Sequence, residues 1–261
     1  MIARLPEECA SLIEGGKRLG GVLAEVAKRV VPGVSSAELN ELAERLIREK
    51  GDAPAFLGYT PDSATRPYPA ALCVSINDEV VHGIPNESPR ALEEGDIVGL
   101  DLGLTHKGFI VDSALTVPVG RAGDISRKLM TATAEALEAG IAAAQIGNHV
   151  GDISHAIETS LKSAGFSAVR ELGGHGVGER VHEEPFVPNT GHAGTGPELV
   201  EGMVLALEPI ANEGKAAIVL SADGYTYRTK DGSRSAHFEH TILIEKDGTL
   251  VLTRRPDEGA L

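Results

Sequence analysis

Four acidic residues lie inside apolar runs that have the composition of β-strands. They are Asp101 in IVGLDLG, Asp112 in FIVDSA, Glu208 in VLALEPI and Glu239 in AHFEHTILI. A buried ionised carboxylate costs several kcal/mol unless it is paired or bound to a metal. One acid in a strand would be expected to face solvent, because successive side chains point to opposite sides. Four acids in separate strands indicate instead that these carboxylates meet at one site.

A histidine flanked by glycines adds a nitrogen to this set. His175 lies in GGHGVG, where the glycines let the backbone approach closely and leave the imidazole accessible. Oxygen-rich ligand sets with a single nitrogen suit divalent Mn, Fe or Co, and they also accommodate Zn. Two divalent ions would balance four carboxylates, and such a pair activates water and polarises a carbonyl or phosphoryl oxygen. The pattern therefore predicts a two-metal centre with hydrolytic chemistry.

The other histidines and the common catalytic motifs are less informative. His82 lies in VVHGIP and His182 in VHEEP, whereas the histidines at 106, 149, 155 and 192 are expected to be ordinary surface or loop residues. The chain has no GxxxxGK[ST] phosphate loop, no GxSxG nucleophile elbow and no HExxH zinc motif. The carboxylate cluster is therefore the strongest indication of chemistry.

The elements that must position these residues alternate between helical and strand-like patterns. Helical spacing covers residues 12–30, and Ser35 followed by Glu38 forms a capping box before a second helix that ends at Gly51. Strand-like runs at 72–76, 96–104 and 108–117 precede helices around 125–136 and 153–161, and further strand-like runs follow at 202–210, 215–221 and 235–244. This order predicts an α+β fold. No long linker divides the sequence, so we expect one catalytic domain over residues 1–261.

A short internal repeat relates the two strand-rich parts of the chain. Residues 94–101, EGDIVGLD, align without gaps on residues 201–208, EGMVLALE, and each copy ends in a carboxylate. An α+β half that is used twice would place Asp101 and Glu208 at equivalent points of two related sheets.

Composition limits the class of protein. The 261 residues carry 24 Lys+Arg and 38 Asp+Glu, a net charge of −14, and only 3% are aromatic. General binding to nucleic acids is therefore not expected, because both charge and stacking rings are unfavourable. No apolar run reaches the ~18–20 residues that span a membrane, and no signal peptide is evident. With only two cysteines, Cys9 and Cys73, we expect a soluble cytoplasmic protein with reduced thiols.

The motifs together resemble those of the type I methionine aminopeptidases, in the short bacterial form, which have the pita-bread metallopeptidase fold. The resemblance covers residues 6 to 253 and rests on the segments SINDEVVHGIP, GDIVGLDLG, FIVDSA, GGHGVGERVHEEPFVPN, EGMVLALEPI and SAHFEHTILI. It implies a pseudo-twofold pair of antiparallel sheet halves backed by helices. It also implies an enzyme that removes the initiator methionine from nascent polypeptides, preferring a small second residue.

The resemblance assigns a metal-binding role to each of the five candidate ligands. Asp101 would chelate one metal ion, Asp112 and Glu239 would bridge both ions, and His175 and Glu208 would complete the ligands of the other. The implied cofactors are two divalent ions per chain, which could be Co, Mn, Fe(II) or Zn.

The resemblance also assigns roles toward the substrate. His182 would hydrogen-bond the scissile carbonyl, His82 would contact the peptide beside the scissile bond, and Glu208 would transfer protons. The pocket for the methionine side chain would be lined by Tyr68, Cys73, Val181 and Tyr225.

Five positions and one loop depart from the family pattern. The loop 59–68 is longer than in familiar bacterial members. The residues that stand where Cys, Phe, Trp, Thr and Gln are common are, in that order, Val81, Val181, Tyr225, Gly103 and His237. None of them is a predicted metal ligand, so they bear on the side-chain pocket rather than on the catalytic assignment.

Two other functions fit parts of the pattern. A prolidase or aminopeptidase P shares the fold but usually carries a substantial extra N-terminal domain, whereas only 81 residues precede His82. A metal-free binding or adaptor protein on this fold would be expected to have lost a ligand, and none is lost. The favoured partners are nascent polypeptide N-termini, with docking on ribosomes left open, and the chain is expected to act as a monomer away from membranes.

Overall fold

The computed structural model describes residues 1–61, 64–256 and 258. Over these residues the chain forms four helices: α1 (Pro6–Ala27), α2 (Ser36–Glu49), α3 (Asp124–Ala143) and α4 (Val150–Ala164). The same residues form fifteen strands: β1 (Ala53–Pro54), β2 (Leu72–Ile76), β3 (Glu79–Val81), β4 (Ile97–His106), β5 (Phe109–Pro118), β6 (Ser167–Ala168), β7 (Gly173–Gly176), β8 (Glu183–Pro188), β9 (Val204–Leu207), β10 (Ile210–Asn212), β11 (Ile218–Leu220), β12 (Tyr227–Thr229), β13 (Ser235–His237), β14 (Glu239–Glu245) and β15 (Gly248–Val251). Within this described part, no helix is both long and apolar enough to cross a membrane.

Local signals in the sequence set the ends of two helices. At the start of α2, the Ser35 hydroxyl accepts a hydrogen bond from the Ala37 N–H at 3.3 Å, and the Glu38 carboxylate accepts one from the Ser35 N–H at 2.8 Å. At the end of α4, Gly165 takes a left-handed conformation with φ 86°, which glycine adopts without a steric penalty. The predicted capping box and the predicted end of α4 are confirmed.

An antiparallel sheet crosses the described part of the molecule with nine strands. Its main strand order is β1-β4-β5-β14-β9-β7-β8, with β2 also paired to β4 and β15 to β14. Strands β5 and β14 meet through two residue pairs, Glu239 with Ala114 and His240 with Ser113. This short junction joins a half made of β1, β2, β4 and β5 to a half made of β7, β8, β9, β14 and β15.

The internal repeat takes the same local structure in both halves. Gly95 and Gly202, in the turns before β4 and β9, both have left-handed backbones, with φ 92° and 83°. Asp101 then lies in β4, and Glu208 follows the last residue of β9. The partners of these strands, β5 and β14, are neighbours at the centre of the sheet. The predicted α+β fold with two related sheet halves is confirmed.

Burial of leucines fixes the direction in which Asp101 points. Leu100, Leu102 and Leu104 of β4 are fully buried in a core cluster that they share with residues of α1 and α2. Each buried leucine contributes roughly 1.5–3 kcal/mol, so a one-residue slip that exposed them would be strongly unfavourable. Alternation along β4 therefore places Asp101 on the side away from these helices.

The second half is covered by α3 and α4 in the same way. Leu205 and Leu207 of β9 and Ile242 of β14 share a core cluster with Leu137 of α3 and Ile157 of α4. The residues between them along each strand therefore face the opposite side of the sheet.

The C-terminal residues pack between α1 and the central sheet. A Cβ atom at Gly16 would lie 2.4 Å from the carbonyl oxygen of Leu252, and one at Gly20 would lie 2.7 Å from that of Arg254. Glycine at these two helical positions therefore allows the close approach. Residues 252–256 and 258, called the C-terminal segment below, reach β14, where Leu252 donates its N–H to the carbonyl oxygen of Thr241.

The structure corrects two expectations from the sequence. The runs 202–210 and 235–244 each form two strands, since β9 and β14 belong to the large sheet while β10 and β13 pair with each other. His106 is buried, with 5% of its surface exposed, and its Nδ1 lies 2.7 Å from Oδ1 of Asp52. A carboxylate partner from a distant segment makes this burial favourable, and the local sequence around His106 does not reveal it.

Candidate metal centre

The sheet register brings the carboxylates to one side of the central strands. Cys73 pairs with Asp101, Asp101 with Ala114, and Ala114 with Glu239, which forms one rung across β2, β4, β5 and β14. Directly paired residues point to the same side of a sheet. Asp112 precedes Ala114 by two residues on β5, so its side chain points to this side as well.

His175 and Glu208 reach the same place from the second half. His175 on β7 pairs with Ala206 on β9, two residues before Glu208. Its Nε2 lies 3.8 Å from Oε1 of Glu208. Ligand atoms of Asp112, His175 and Glu239 all lie within 4.8 Å of one another. The five residues that the sequence predicts as metal ligands therefore converge from both halves of the sheet.

The orientation of His175 is fixed by its backbone surroundings. Its Nδ1 lies 2.9 Å from the carbonyl oxygen of Gly176, which can only accept, so Nδ1 carries the hydrogen and Nε2 has the lone pair that a metal requires. A Cβ atom at Gly174 would lie 2.2 Å from the carbonyl oxygen of Ala206, so glycine is needed beside this histidine. Burial and a neighbouring imidazole lower the pKa of His175 to about 3, which keeps the ring neutral.

The carboxylates are crowded in a way that opposes their ionisation. Asp101, Asp112 and Glu239 are 8%, 3% and 2% exposed. Burial and repulsion by Glu208 raise the pKa of Asp112 to about 7, and burial raises the pKa of Glu208 to about 8. Burial and neighbouring carboxylates also raise the pKa values of Asp101 and Glu239 well above their usual range. Burial lowers the pKa values of His175 and His237 to about 3. Both imidazoles are therefore neutral and provide no compensating positive charge.

The donor atoms of this cluster fit divalent metal ions. Oδ1 of Asp101 and Oδ1 of Asp112 are buried and, among the residues that the structure describes, have no hydrogen-bond partner, whereas buried polar atoms are normally satisfied. Carboxylate oxygens with one imidazole nitrogen suit Mn, Fe, Co or Zn. The charge of such ions would favour the ionised form of all four carboxylates.

The two histidines with predicted roles toward the substrate line the same cavity as the carboxylates. This cavity has a volume of about 560 Å³ and is bounded by His82, His182, His175 and all four acids. The rings of His182 and His175 lie 4.5 Å apart and nearly perpendicular, at 82°. Burial lowers the pKa of His82 to about 4 and also lowers the pKa of His182. Each neutral ring therefore offers one donor and one acceptor nitrogen.

The backbone at His82 is held in a conformation that non-glycine residues rarely adopt. Its φ is 59°, and such left-handed backbones cost ~1–3 kcal/mol and occur at functional sites. The next residue must be glycine, because a Cβ atom at Gly83 would lie 2.2 Å from the carbonyl oxygen of Val74. Hydrogen bonds of Gly83 to Val74 at 2.9 Å and to the Ser75 hydroxyl at 3.1 Å hold this segment in place.

An apolar cluster forms one wall of the cavity. The four predicted pocket residues Tyr68, Cys73, Val181 and Tyr225 are 4–6% exposed and share a small cluster, separate from the main core clusters, with Phe56. All five residues line the cavity. The sequence did not predict Phe56.

Phe56 accounts for one departure from the family pattern. A Cβ atom at Gly103 would lie 2.6 Å from Cε1 of Phe56 and 3.0 Å from Cβ of Ala55. Glycine at 103, where Thr is common, therefore leaves room for the Phe56 ring. The unusual glycine was a signal that something fills this space, but the sequence does not show which residue does so.

The loop 59–68 is tied by Arg66 to Glu87, Asp223 and Tyr225. Arg66 forms a two-point ion pair with Glu87, donates to the carbonyl oxygen of Asp223 at 3.2 Å, and lies 5.7 Å from the ring centroid of Tyr225. The Tyr225 hydroxyl donates in turn to the Arg66 carbonyl oxygen. Residues 62 and 63 of this loop lie outside the described residues.

His237, another departure, also reaches the centre. Its Nε2 lies 3.3 Å from Oε2 of Glu208 and 4.0 Å from Oε2 of Glu239. His240 points to the other side of the sheet, where its Nδ1 lies 2.8 Å from the Thr253 hydroxyl. A single strand over this run would also make the two histidines face opposite ways, but here His237 lies on β13 and His240 on β14.

Comparisons with known proteins agree with this geometry. The profile of metallopeptidase family M24 matches residues 10–246. A methionine aminopeptidase of Aquifex aeolicus is 47% identical over 234 residues, which are 89% of this chain and 90% of that protein.

Solved structures separate similarity in sequence from similarity in fold alone. The crystal structure of a methionine aminopeptidase from Thermotoga maritima has a TM-score of 0.92 and 41% identity, covering 98% of this chain and 100% of that chain. A prolidase from Pyrococcus furiosus has a TM-score of 0.73 at 21% identity, covering 97% of this chain but 65% of that one. This prolidase therefore shares the fold, and about a third of its length lies outside the matched region.

Proposed function

The chain belongs to metallopeptidase family M24, and on this premise we propose that it is a methionine aminopeptidase. It removes the initiator methionine from nascent polypeptides, preferring those whose second residue is small. The observation that carries this proposal is the direct contact between a carboxylate cluster and an apolar pocket within one cavity.

The rung that contains Cys73 and Asp101 makes this contact explicit. Cys73 belongs to the apolar wall, and Asp101 belongs to the carboxylate cluster, yet the two residues are directly paired on neighbouring strands. Paired strands lie about 4.8 Å apart, which is the length of a few bonds. The apolar, unbranched side chain of a substrate residue can therefore pack against Tyr68, Cys73, Val181 and Tyr225 while the carbonyl group of the same residue lies at the carboxylate cluster.

We propose that the five converging residues hold two divalent ions, either Mn, Fe(II), Co or Zn. The ligands would be Asp101, Asp112, His175, Glu208 and Glu239. Ions bound there supply a Lewis acid that activates water and polarises a carbonyl oxygen. Two ions rather than one are supported by charge balance, because the four carboxylates carry four negative charges and two divalent ions match them.

Three side chains act on the substrate in this proposal. His182 donates a hydrogen bond to the scissile carbonyl oxygen and stabilises the negative charge that develops on it. His82, aimed by its unusual backbone, contacts the peptide beside the scissile bond. Glu208 is the most exposed of the four carboxylates, with 14% of its side chain accessible, so it is suited to transfer protons between the site and solvent.

The proposal extends to the context in which the enzyme acts. Both sheet halves contribute ligands to one centre, which supports residues 1–261 as a single catalytic domain. We expect it to act as a monomer on nascent chains in the cytoplasm, without binding nucleic acids in general or a membrane.

Peptide hydrolysis tests the function directly. Protein loaded with Mn(II) would be given Met-X-Ser tripeptides, with X varied from Gly to Leu, and released methionine would be measured by mass spectrometry. We expect rapid release when X is Gly or Ala and slower release as X becomes larger. Excess EDTA should stop the reaction, and Mn(II), Fe(II) or Co(II) should restore it.

Peptide hydrolysis and metal analysis separate the two alternative functions. Faster hydrolysis of Ala-Pro-Ala than of Met-Ala-Ser would favour a prolidase or aminopeptidase P. Purified protein that binds no divalent metal under any condition would favour a metal-free adaptor.

A further inference from the structure

Tyr59, at the start of the long loop, contacts the histidine that faces the substrate. Its hydroxyl oxygen lies 2.9 Å from Nδ1 of His182, and the two rings pack edge to face with centroids 5.4 Å apart. Both residues line the cavity. Sequence patterns gave no role to Tyr59.

A hydrogen bond that is donated to one ring nitrogen of a neutral imidazole decides the state of the other nitrogen. A phenol keeps its hydrogen near pH 7, and a neutral imidazole has one donor and one acceptor nitrogen. When the Tyr59 hydroxyl donates to Nδ1 of His182, the hydrogen of the imidazole must lie on Nε2. Nε2 is then a donor, as hydrogen bonding to a carbonyl oxygen requires.

The neighbouring histidine does not compete for this interaction. His175 packs its ring against His182, but its own Nδ1 is engaged with the Gly176 carbonyl oxygen at 2.9 Å. Its Nε2 faces Glu208 at 3.8 Å.

The backbone around Tyr59 is fixed at the base of the loop. The N–H of Tyr59 donates to the Phe56 carbonyl oxygen at 2.9 Å, and the carbonyl oxygen of Tyr59 accepts from the Tyr68 N–H at 2.8 Å. The Tyr68 hydroxyl donates to the carbonyl oxygen of Gly83 at 2.9 Å, beside His82. The loop base is thereby anchored to the segment that carries the other substrate-facing histidine.

We propose that Tyr59 is a positioning residue that holds His182 in the tautomer with its hydrogen on Nε2, directed at the substrate carbonyl. The proposal rests on the proposed function for the role of His182, but the tautomer itself is a property of the protein that can be measured without catalysis. It also gives the start of the loop 59–68 a part in catalysis rather than only in the shape of the pocket.

The first test is spectroscopic. Zinc-loaded protein labelled with ¹⁵N-histidine would be studied by long-range ¹⁵N–¹H correlation NMR, with the His182 signals assigned by their absence in His182→Ala. We expect hydrogen on Nε2 in the unmodified protein and a shifted Nδ1 resonance in Tyr59→Phe. Tyr225→Phe is the matched control, because that hydroxyl donates to the Arg66 carbonyl oxygen and its loss should leave the His182 signals unchanged. Hydrogen on Nδ1 of His182, or identical His182 signals in Tyr59→Phe, would overturn the proposal.

The second test is a double-mutant cycle on Met-Ala-Ser hydrolysis. Tyr59→Phe should lower kcat about 3- to 10-fold, the effect of one hydrogen bond, with little change in KM. His182→Ala should lower kcat by ~10²–10³, as for the loss of one oxyanion donor, while the metal content stays the same. Adding Tyr59→Phe to His182→Ala should have no further effect, because Tyr59 acts through His182. Additive losses would show that Tyr59 acts by another route, and a failure to cleave Met-Ala-Ser at all would refute the proposed function without touching the NMR result.

Discussion

The two sides of the central strands β5 and β14 are about equally buried, but they differ in whether their polar groups have partners within the described protein. On the front, which faces the cavity, Asp112 and Glu239 are 3% and 2% exposed, and on the back their neighbours Ser113 and His240 are 0% exposed. The front residues have raised pKa values because burial and nearby carboxylates oppose their charge. On the back, the Ser113 hydroxyl donates to the Glu239 carbonyl oxygen at 2.8 Å.

The C-terminal segment completes the back side. The two ring nitrogens of His240 lie 2.8 Å from the Thr253 hydroxyl and 2.9 Å from Oε1 of Glu258. Arg255 forms an ion pair with the same carboxylate. Although burial opposes its charge, the bonds to His240 and Arg255 hold the pKa of Glu258 at about 2.

The comparison shows that burial alone does not make a site reactive. Neighbouring residues on one strand share a backbone and a depth, and they differ in whether their polar groups have partners within the protein. The back is satisfied by the chain itself, whereas the front has a donor set suited to cations. Changes on the front should therefore affect metal binding and catalysis, and changes on the back should affect stability.

The largest effect is expected from replacing one front carboxylate. Asp112→Asn removes a charge and a ligand oxygen, so kcat/KM for Met-Ala-Ser should fall by more than ~10²-fold, beyond the loss typical of a residue that only supports a ligand. Bound metal, measured by mass spectrometry of the elements, should fall with it. In EDTA at pH 8 the same variant should melt at a higher temperature, because the folded chain no longer has to keep an ionisable carboxyl at this buried and crowded position.

The adjacent back residue provides the matched control. Ser113→Ala should lose ~1 kcal/mol of unfolding free energy, the contribution of a typical hydrogen bond, and should keep most of its activity. Equal losses of activity in Asp112→Asn and Ser113→Ala would contradict the division between front and back.

An intermediate effect is expected in the pH dependence of the metal-free protein. Asp112 and Glu208 have pKa values of about 7 and about 8 in the folded chain, whereas unfolded acids titrate near ~4. Between these values the folded state binds more protons than the unfolded state, so the free energy of unfolding falls as the pH rises. The buried histidines oppose this trend below pH ~6.5, because burial keeps them neutral in the folded chain while unfolded histidines take up protons. Above pH ~7 the histidines are neutral in both states, so the melting temperature in EDTA should be several degrees lower at pH 8 than at pH 7.

Two controls accompany this pH series: saturation with Mn(II), and the contribution of Glu258 on the back. Saturating Mn(II) should remove the slope, because the ions favour the ionised carboxylates. Glu258 adds no slope in this window, since its depressed pKa of about 2 means that its contribution is lost only as the pH falls below ~4. A melting temperature in EDTA that is constant or rises from pH 7 to pH 8 would argue against crowded carboxylates on the front.

The smallest effect on catalysis is expected on the back. Glu258→Gln replaces a charged acceptor shared by His240 and Arg255 with a neutral one, so unfolding free energy measured with urea should fall by ~1 kcal/mol. Hydrolysis of Met-Ala-Ser should be unchanged. A loss of activity without a loss of stability would mean that residues on the back influence the metal-binding residues on the front.

The carboxylate cluster could be predicted because it violates a strong rule. Acids in apolar strands are unfavourable unless they meet a cation, and the alternation of buried Leu100 and Leu102 around Asp101 already determines its side of the sheet. The capping box at Ser35 and the left-handed Gly165 were equally predictable, since each depends on residues that are close in sequence.

The contacts that depend on distant segments could not be predicted. Tyr59 meets His182 across 123 positions of the chain, and His106 is buried because Asp52 reaches it. Phe56 fills the space beside Gly103, and the glycine is the only sign of this in the sequence. Such partners follow from how the loops fold over the sheet, and residue type and local spacing contain too little information to place them.

The left-handed backbone at His82 makes stability and activity conflict at this position. Glycine adopts such a φ without penalty, so replacing His82 by glycine would relieve conformational energy and also delete the imidazole that faces the cavity. A variant that folds better here would be expected to work worse, as in other stability–activity trade-offs. Efforts to engineer a more heat-resistant form of this enzyme should therefore leave residue 82 unaltered and draw their gains from elsewhere in the chain.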